Sequence, residues 1–249
     1  MKKHATLFLL FFITSTLHSW GQKRDKLKKG KYEGAGILVF EDGSKYEGEF
    51  KFGKFNGMGL YTWISGDVYE GEFRNGEFSG LGEMKYANGY YYKGNWLANK
   101  YHKNGYLLYP DSSWYEGEFY EGKKQGKGTL VWAGGESYKG YFYNDLYHGN
   151  GVLKLANGNI YSGNFAQGLF HGEGSLWYSS GDVYEGSFVK GERSGMGMYT
   201  FKESGIIYKG GWQGDKYHGE GLFLYPGGEK VKVRHENGKT VLGTYSLIE

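Results

Sequence analysis

Four histidines, His102, His148, His171 and His218, fall at one place in a pattern that repeats about every 23 residues. A stripe of imidazoles suggests metal chemistry. Zinc ligands must converge to about 2.0–2.2 Å from one ion. One histidine per period, with each period spanning two strands, leaves neighbours roughly 10 Å apart, so these histidines read as structural. The carboxylate pairs Glu47/Glu49, Glu70/Glu72 and Glu116/Glu118 have the residue types of glycosidase acid/base pairs or calcium ligands. Their i, i+2 spacing puts each pair on one solvated strand face. Gly117–Lys124 (GEFYEGKK), Gly48–Phe55 (GEFKFGKF) and Val233–Thr240 (VRHENGKT) imitate a phosphate loop. A working loop follows a strand and opens a helix, so that backbone N–H groups cradle the anion. These strings are pieces of strand and turn. With no cysteine in the chain, thiolate metal sites, a cysteine nucleophile and disulfides are excluded. Every candidate group recurs in register, where a catalytic site is singular. The reading is of a non-enzyme without cofactor or metal.

The elements that carry these residues follow from the repeat itself. Tyr-x-Gly-x-(Phe/Trp) starts at Tyr46, Tyr69, Tyr92, Tyr115, Tyr138, Tyr161, Tyr184 and Tyr208, at intervals of 23 residues and a last one of 24. A fixed short period marks a repeat architecture. Counting from each tyrosine, position 3 and position 14 are glycine in all eight repeats, position 5 is Phe or Trp, and position 8 is Gly, Asn or Asp. Position 12 is glycine except at Lys103, and position 18 is an aromatic residue or Leu155. Positions 1, 3 and 5 alternate with polar residues, as do 14, 16 and 18, which is the strand period. Each repeat is predicted to be a β-hairpin with turns at position 8 and near position 21. Its expected register sets position 3 opposite 16, Phe at 5 opposite Gly at 14, and Tyr at 1 opposite the aromatic at 18. Glycine inside a strand marks close approach of a neighbour, here an aromatic ring. Because a lone hairpin is marginal in water, the hairpins must stack. The predicted fold is all-β, one elongated antiparallel sheet of stacked hairpins, roughly 75–80 Å long. The extra residue of the last interval is placed in the loop at Lys202–Gly205, where insertion costs least.

The organisation expected along the chain is a signal peptide over 1–21, a basic arm over 22–33, the repeat array over 34–230 and a degenerate cap over 231–249. Lys2, Lys3 and the apolar run TLFLLFFIT match an export signal and fall short of the roughly 20 residues that span a bilayer. Cleavage after Gly21 leaves Gln22 first. Lys23–Lys31 holds six basic residues and Asp25, while residues 32–249 carry 22 basic and 26 acidic residues, a net −4. An acidic array argues against nucleic acid, whose binding is dominated by positive surface. The arm offers contact with anionic lipid at low salt.

These residues closely resemble the MORN repeat, whose pattern is Tyr-x-Gly-x-(Phe/Trp)-x-x-Gly-x-x-x-Gly-x-Gly. The repeats at Tyr69 (YEGEFRNGEFSGLGEMKYANGYY) and Tyr161 (YSGNFAQGLFHGEGSLWYSSGDV) match it almost throughout. The repeat at Tyr92 departs most, with Asn99, Lys103 and Ser112 in place of glycines. The resemblance implies a scaffold, a dimerisation module or a lipid-associating surface. Such arrays also accompany phosphatidylinositol-phosphate kinase and SET methyltransferase domains, but here the repeats use up the chain.

Aromatics off the pattern gather on the nominally polar face of the middle repeats. Tyr91, Tyr106, Trp114, Tyr120, Tyr141 and Tyr143 are the candidate partner-binding residues, with Trp177 more distant. Exposed aromatic patches mark contact surfaces. The expected function is an exported scaffold, periplasmic, outer-membrane-associated or extracellular, that holds a protein or envelope partner or a second copy of itself. Glycan binding and anionic-lipid association through the arm are the alternatives.

Overall fold

The computed structural model describes residues 32–241 and the backbone of 246–248. The expected signal segment and Lys23–Lys31 lie outside the described residues. Among those described there is no helix, and all strands join one 20-stranded sheet. The first strand is β1 (Gly34–Val39). Seven-residue strands β2 (Lys45–Lys51), β4 (Val68–Arg74), β6 (Tyr91–Leu97), β8 (Trp114–Tyr120), β10 (Ser137–Tyr143), β12 (Ile160–Ala166), β14 (Val183–Val189) and β16 (Ile207–Gln213) open the repeats. Nine-residue strands β3 (Lys54–Thr62), β5 (Glu77–Lys85), β7 (Lys100–Leu108), β9 (Lys123–Val131), β11 (Leu146–Lys154), β13 (Leu169–Trp177), β15 (Glu192–Thr200) and β17 (Lys216–Leu224) close them. From β1 to β18 (Lys230–Glu236), each strand pairs antiparallel with the next in sequence. β19 (Lys239–Thr240) and β20 (Ser246–Ile248) both pair with β18. At about 4.8 Å per strand these ranks extend about 80 Å.

The register within a hairpin differs from the expected one. Position 3 faces 14 and position 1 faces 16, as in Gly48↔Gly59 and Tyr46↔Tyr61. Position 5 faces 10, as in Phe50↔Phe55. Two local devices set this. The hairpin turn takes only positions 7 and 8, and both have positive φ, as at Phe52 (51°) and Gly53 (73°). That pair of signs is the type I′ turn, whose twist matches that of the strands. A bulge then slips the register between positions 3 and 5. It centres on position 12, left-handed at Gly57 (69°) and also at Lys103 (49°). The turn at the other end is a three-residue loop, closed by Phe40 N–H to Ser44 O at 2.9 Å. In the 24-residue interval the loop grows to Lys202–Gly205, closed by Phe201 N–H to Ile206 O, so the insertion sits where it was expected.

This register aligns the glycines of positions 3 and 14 into one row across the sheet, from Gly36↔Gly48 to Gly210↔Gly221. Rings lie over glycines as predicted, but the ring is the tyrosine of position 1 and it covers two of them. A Cβ on Gly151 would meet the Tyr138 hydroxyl at 2.5 Å and its ring carbons at 2.7 Å. All eight repeat tyrosines are fully buried. Tyr46 is held edge-on by Phe50 at 5.0 Å and by Phe73 of the next repeat at 5.1 Å, and is roofed by Phe55, stacked at 3.8 Å. Its hydroxyl donates to the Glu49 carbonyl at 2.8 Å. The same bond to position 4 recurs in every repeat, ending with Tyr208 to Gly211 at 3.2 Å. That carbonyl sits where the bulge breaks the ladder, which explains tyrosine rather than phenylalanine at position 1.

At the N-terminal end Tyr32 supplies the missing ring. It covers Gly36 and donates to the Ala35 carbonyl at 2.8 Å. At the other end Val231, Val233 and His235 pair with Phe223, Gly221 and Gly219, in the places of Tyr, Gly and Phe.

Candidate functional site

The sheet is one layer, so each face is a surface. On the first, the ring face, positions 1 and 5 are buried, while rings at position 10, at position 18 and, in three repeats, at position 16 leave at least one half-buried ring in every repeat. The position-10 row was not anticipated from the sequence. Five of its members stack on the repeat tyrosine at 3.7 or 3.8 Å: Phe55, Phe78, Tyr101, Tyr147 and Phe170. Its signal was present, as six of eight repeats carry an aromatic there, but Lys124 and Arg193 interrupt it. These cations take over the roof. Lys124 Nζ lies 5.6 Å from the Tyr115 ring centroid, and the Arg193 guanidinium 5.6 Å from that of Tyr184 and 4.3 Å from that of Trp212. Each is matched by an aspartate at position 8 of the following repeat. Asp145 accepts the Lys124 backbone N–H at 2.9 Å, with its Oδ1 3.8 Å from Lys124 Nζ. Asp215 accepts from Arg193 Nε at 2.9 Å and from its backbone N–H at 3.0 Å.

Burial raises the pKa of the repeat tyrosines. It pushes Tyr138, Tyr161 and Tyr208 up to about 12 and the others further.

The opposite, outward face carries the six candidate residues, and the structure divides them. Tyr91, Tyr106 and Trp114 are half-buried at one end of their strands. Tyr91 donates to Glu83 at 2.9 Å, and Lys93 lies 2.6 Å from the same carboxylate. Burial opposes charge on Glu83, but the hydrogen bonds from Lys93 and Tyr91 win and hold its pKa below the usual value. Tyr106 stacks on Trp114 at 6.0 Å. Tyr120, Tyr141 and Tyr143, toward the hairpin turns, stand exposed.

The other sequence candidates take structural places. His102, His148 and His171 face position 4 across the hairpin, at Asn95, Tyr141 and Asn164, each on a different strand. Among the described residues no group of three His, Asp or Glu side chains could hold a metal ion. The position-4 glutamates are solvated, yet Glu72 and Glu118 also accept the backbone N–H of Leu81 (3.0 Å) and Lys127 (2.8 Å) beside the bulge. Gly117–Lys124 runs from β8 through a hairpin turn into β9, with no helix to cradle an anion.

The MORN repeat family matches nine consecutive segments, residues 27–45, 46–68, 69–89, 92–114, 115–137, 138–160, 161–183, 184–205 and 208–230. This chain is a MORN repeat protein. Its first matched segment begins ahead of residue 34, where the repeat array was expected to start, and overlaps the basic arm. No curated protein matches the chain. Among solved structures, the wild-type TCP10 domain of Danio rerio CPAP is 13% identical, with 84% of this chain and 99% of that chain covered and a TM-score of 0.44. The same domain in complex with a peptide of Danio rerio STIL gives 12% identity, 88% and 99% coverage and a TM-score of 0.46. Virginiamycin B lyase from Staphylococcus aureus is 11% identical over 81% of this MORN protein and 70% of that chain, with a TM-score of 0.17. At these scores none bears on function.

Proposed function

We propose that this MORN protein is a non-enzymatic, exported scaffold that holds an extended segment of a partner protein along its ring face. One observation carries the reading: half-buried rings line that face from Phe40 to Phe223 without a break between repeats. Rigid aromatic surface of this kind is what a partner segment can bury at low entropic cost. The family segments, residues 27–230, take up most of the chain, consistent with a binding rather than a chemical role. The apolar leader supports export. Crosslinking with mass spectrometry in native envelopes tests the proposal. A specific protein should be recovered, and Trp63→Ser with Trp132→Ser should abolish its crosslinks while the fold, checked by circular dichroism, is kept. Recovery of nothing specific, or of the same protein with both variants, counts against it.

A further inference from the structure

On the outward face, position 6 departs from the repeat pattern in the middle of the array. Position 6 is tyrosine only in two adjacent repeats, at Tyr120 and Tyr143; elsewhere it is Lys51, Arg74, Leu97, Ala166, Val189 and Gln213. Tyr141 at position 4 joins them. The three are 58%, 55% and 42% exposed, in the order Tyr120, Tyr143 and Tyr141, in a fold that buries its repeat tyrosines completely. Each position-6 tyrosine has a histidine ring beside it, on opposite sides: His102 of the preceding strand lies 5.7 Å from Tyr120, and His148 of the following strand 5.7 Å from Tyr143. Lys127 Nζ lies 5.5 Å from the Tyr141 ring. A shallow depression of about 450 Å³ adjoins Tyr120, lined also by His102, Lys103, Glu118, Phe119 and Gln125.

We propose that this patch binds an extended β-linked polysaccharide. Tyr120 and Tyr143 are equivalent positions one repeat apart, about two strand separations or 9.6 Å. That backbone spacing is close to the advance of two pyranose residues in an extended β-linked chain, so a chain lying across the strands can reach both rings. The ring faces offer an apolar platform to the C–H surface of a sugar, while imidazole, amide, carboxylate and ammonium groups along their edges bond its hydroxyls. A protein interface of comparable strength would centre on an anchor in a well-packed, desolvated pocket. Here the depression is open and polar at its edges. The site lies on the face opposite the proposed partner-binding rings, so the two readings stand or fall separately.

Affinity electrophoresis in gels containing hydroxyethyl cellulose, xylan or glycol chitin tests it. The wild-type chain should be retarded by at least one of these polymers. Tyr120→Ala/Tyr143→Ala should bind at least tenfold more weakly, and Trp177→Ala, elsewhere on the same face, should bind like wild type. All three substituted side chains are exposed, so unchanged circular dichroism and Tm are expected and confirm folding. Unretarded wild type in all three gels overturns the proposal, as does equal retardation of the double variant. Loss of a protein crosslink in that variant, without loss of glycan retardation, assigns the patch to a protein and overturns it equally.

Discussion

Each repeat turns on a tyrosine wedged over two glycines, and that arrangement has separable energetic parts. Tyr138 donates to the Tyr141 carbonyl at 2.8 Å. Tyr138→Phe keeps the ring and orphans that carbonyl, at a cost of about 1 kcal/mol. Gly151→Ala drives a methyl into a ring already held by Phe142, Phe165 and Tyr147, and overpacking of this kind costs about 3 kcal/mol. Urea denaturation should rank the two in that order; the reverse would mean that the hydroxyl, not the glycine space, holds the wedge. The cation roofs make a second residue-scale case. Lys124 is largely covered while Asp145 is about half exposed, so the pair is screened and contributes less than about 1 kcal/mol. Restoring the common pattern with Lys124→Phe/Asp145→Gly should therefore leave stability unchanged or raise it. Marked destabilisation of the double variant would show that the cation is required.

At the scale of the element, β18 is the last full-length strand among the described residues and ends the ring row there. It does so with His235, which is buried among Tyr208, Tyr217 and Phe223. Among the described residues its Nδ1 is buried without a hydrogen-bond partner, and burial pushes its pKa below the ordinary value. Unfolded histidine takes its proton near pH 6.5, before the folded one. The contribution of this residue is therefore complete above about pH 6.5 and is lost as pH falls from there toward the lowered folded value. Limited proteolysis should find β18 more readily cut at pH 5.5 than at pH 7.5, and His235→Phe should remove the difference. Cleavage that does not vary with pH in the wild-type chain would contradict the assignment of a neutral, buried imidazole.

Over the whole molecule, stability is a sum of hairpins and the contacts between neighbours. Deleting residues 138–183, two whole repeats, leaves the junction in register and should yield a folded chain about 19 Å shorter by small-angle scattering; an unfolded product would show that distant repeats are coupled. The tyrosine row also sets an alkaline limit. Unfolded phenols ionise near pH 10, while burial holds Tyr138, Tyr161 and Tyr208 at about 12. Above pH 10 the unfolded state sheds protons first, so stability falls as pH rises. Phenolate absorbance of the row should therefore grow together with loss of the circular dichroism signal, and a row that ionised with the sheet intact would argue against its burial.

The sequence by itself determined the repeat, the hairpin, the single antiparallel sheet and the aromatic row, because a 23-residue period and two-residue alternation constrain what can stack. It also placed position 8 in the left-handed turn and the extra residue in the Lys202–Gly205 loop. It did not determine the register. Alternation says which face a side chain takes, and the glycine of position 3 satisfies it equally well opposite position 14 or opposite position 16. Only the two-residue turn and the bulge at position 12 choose between them, and both are read from backbone angles. The roof at position 10 was hidden for a related reason. Phe, Tyr, Lys and Arg look unlike one another in a sequence, yet each covers the same tyrosine from above once the strands are paired. The six outward aromatics could be named from parity alone. Their division into a covered group at Trp114 and an exposed group at Tyr141 was decided by the tertiary structure, since exposure depends on cross-strand neighbours that no local pattern specifies.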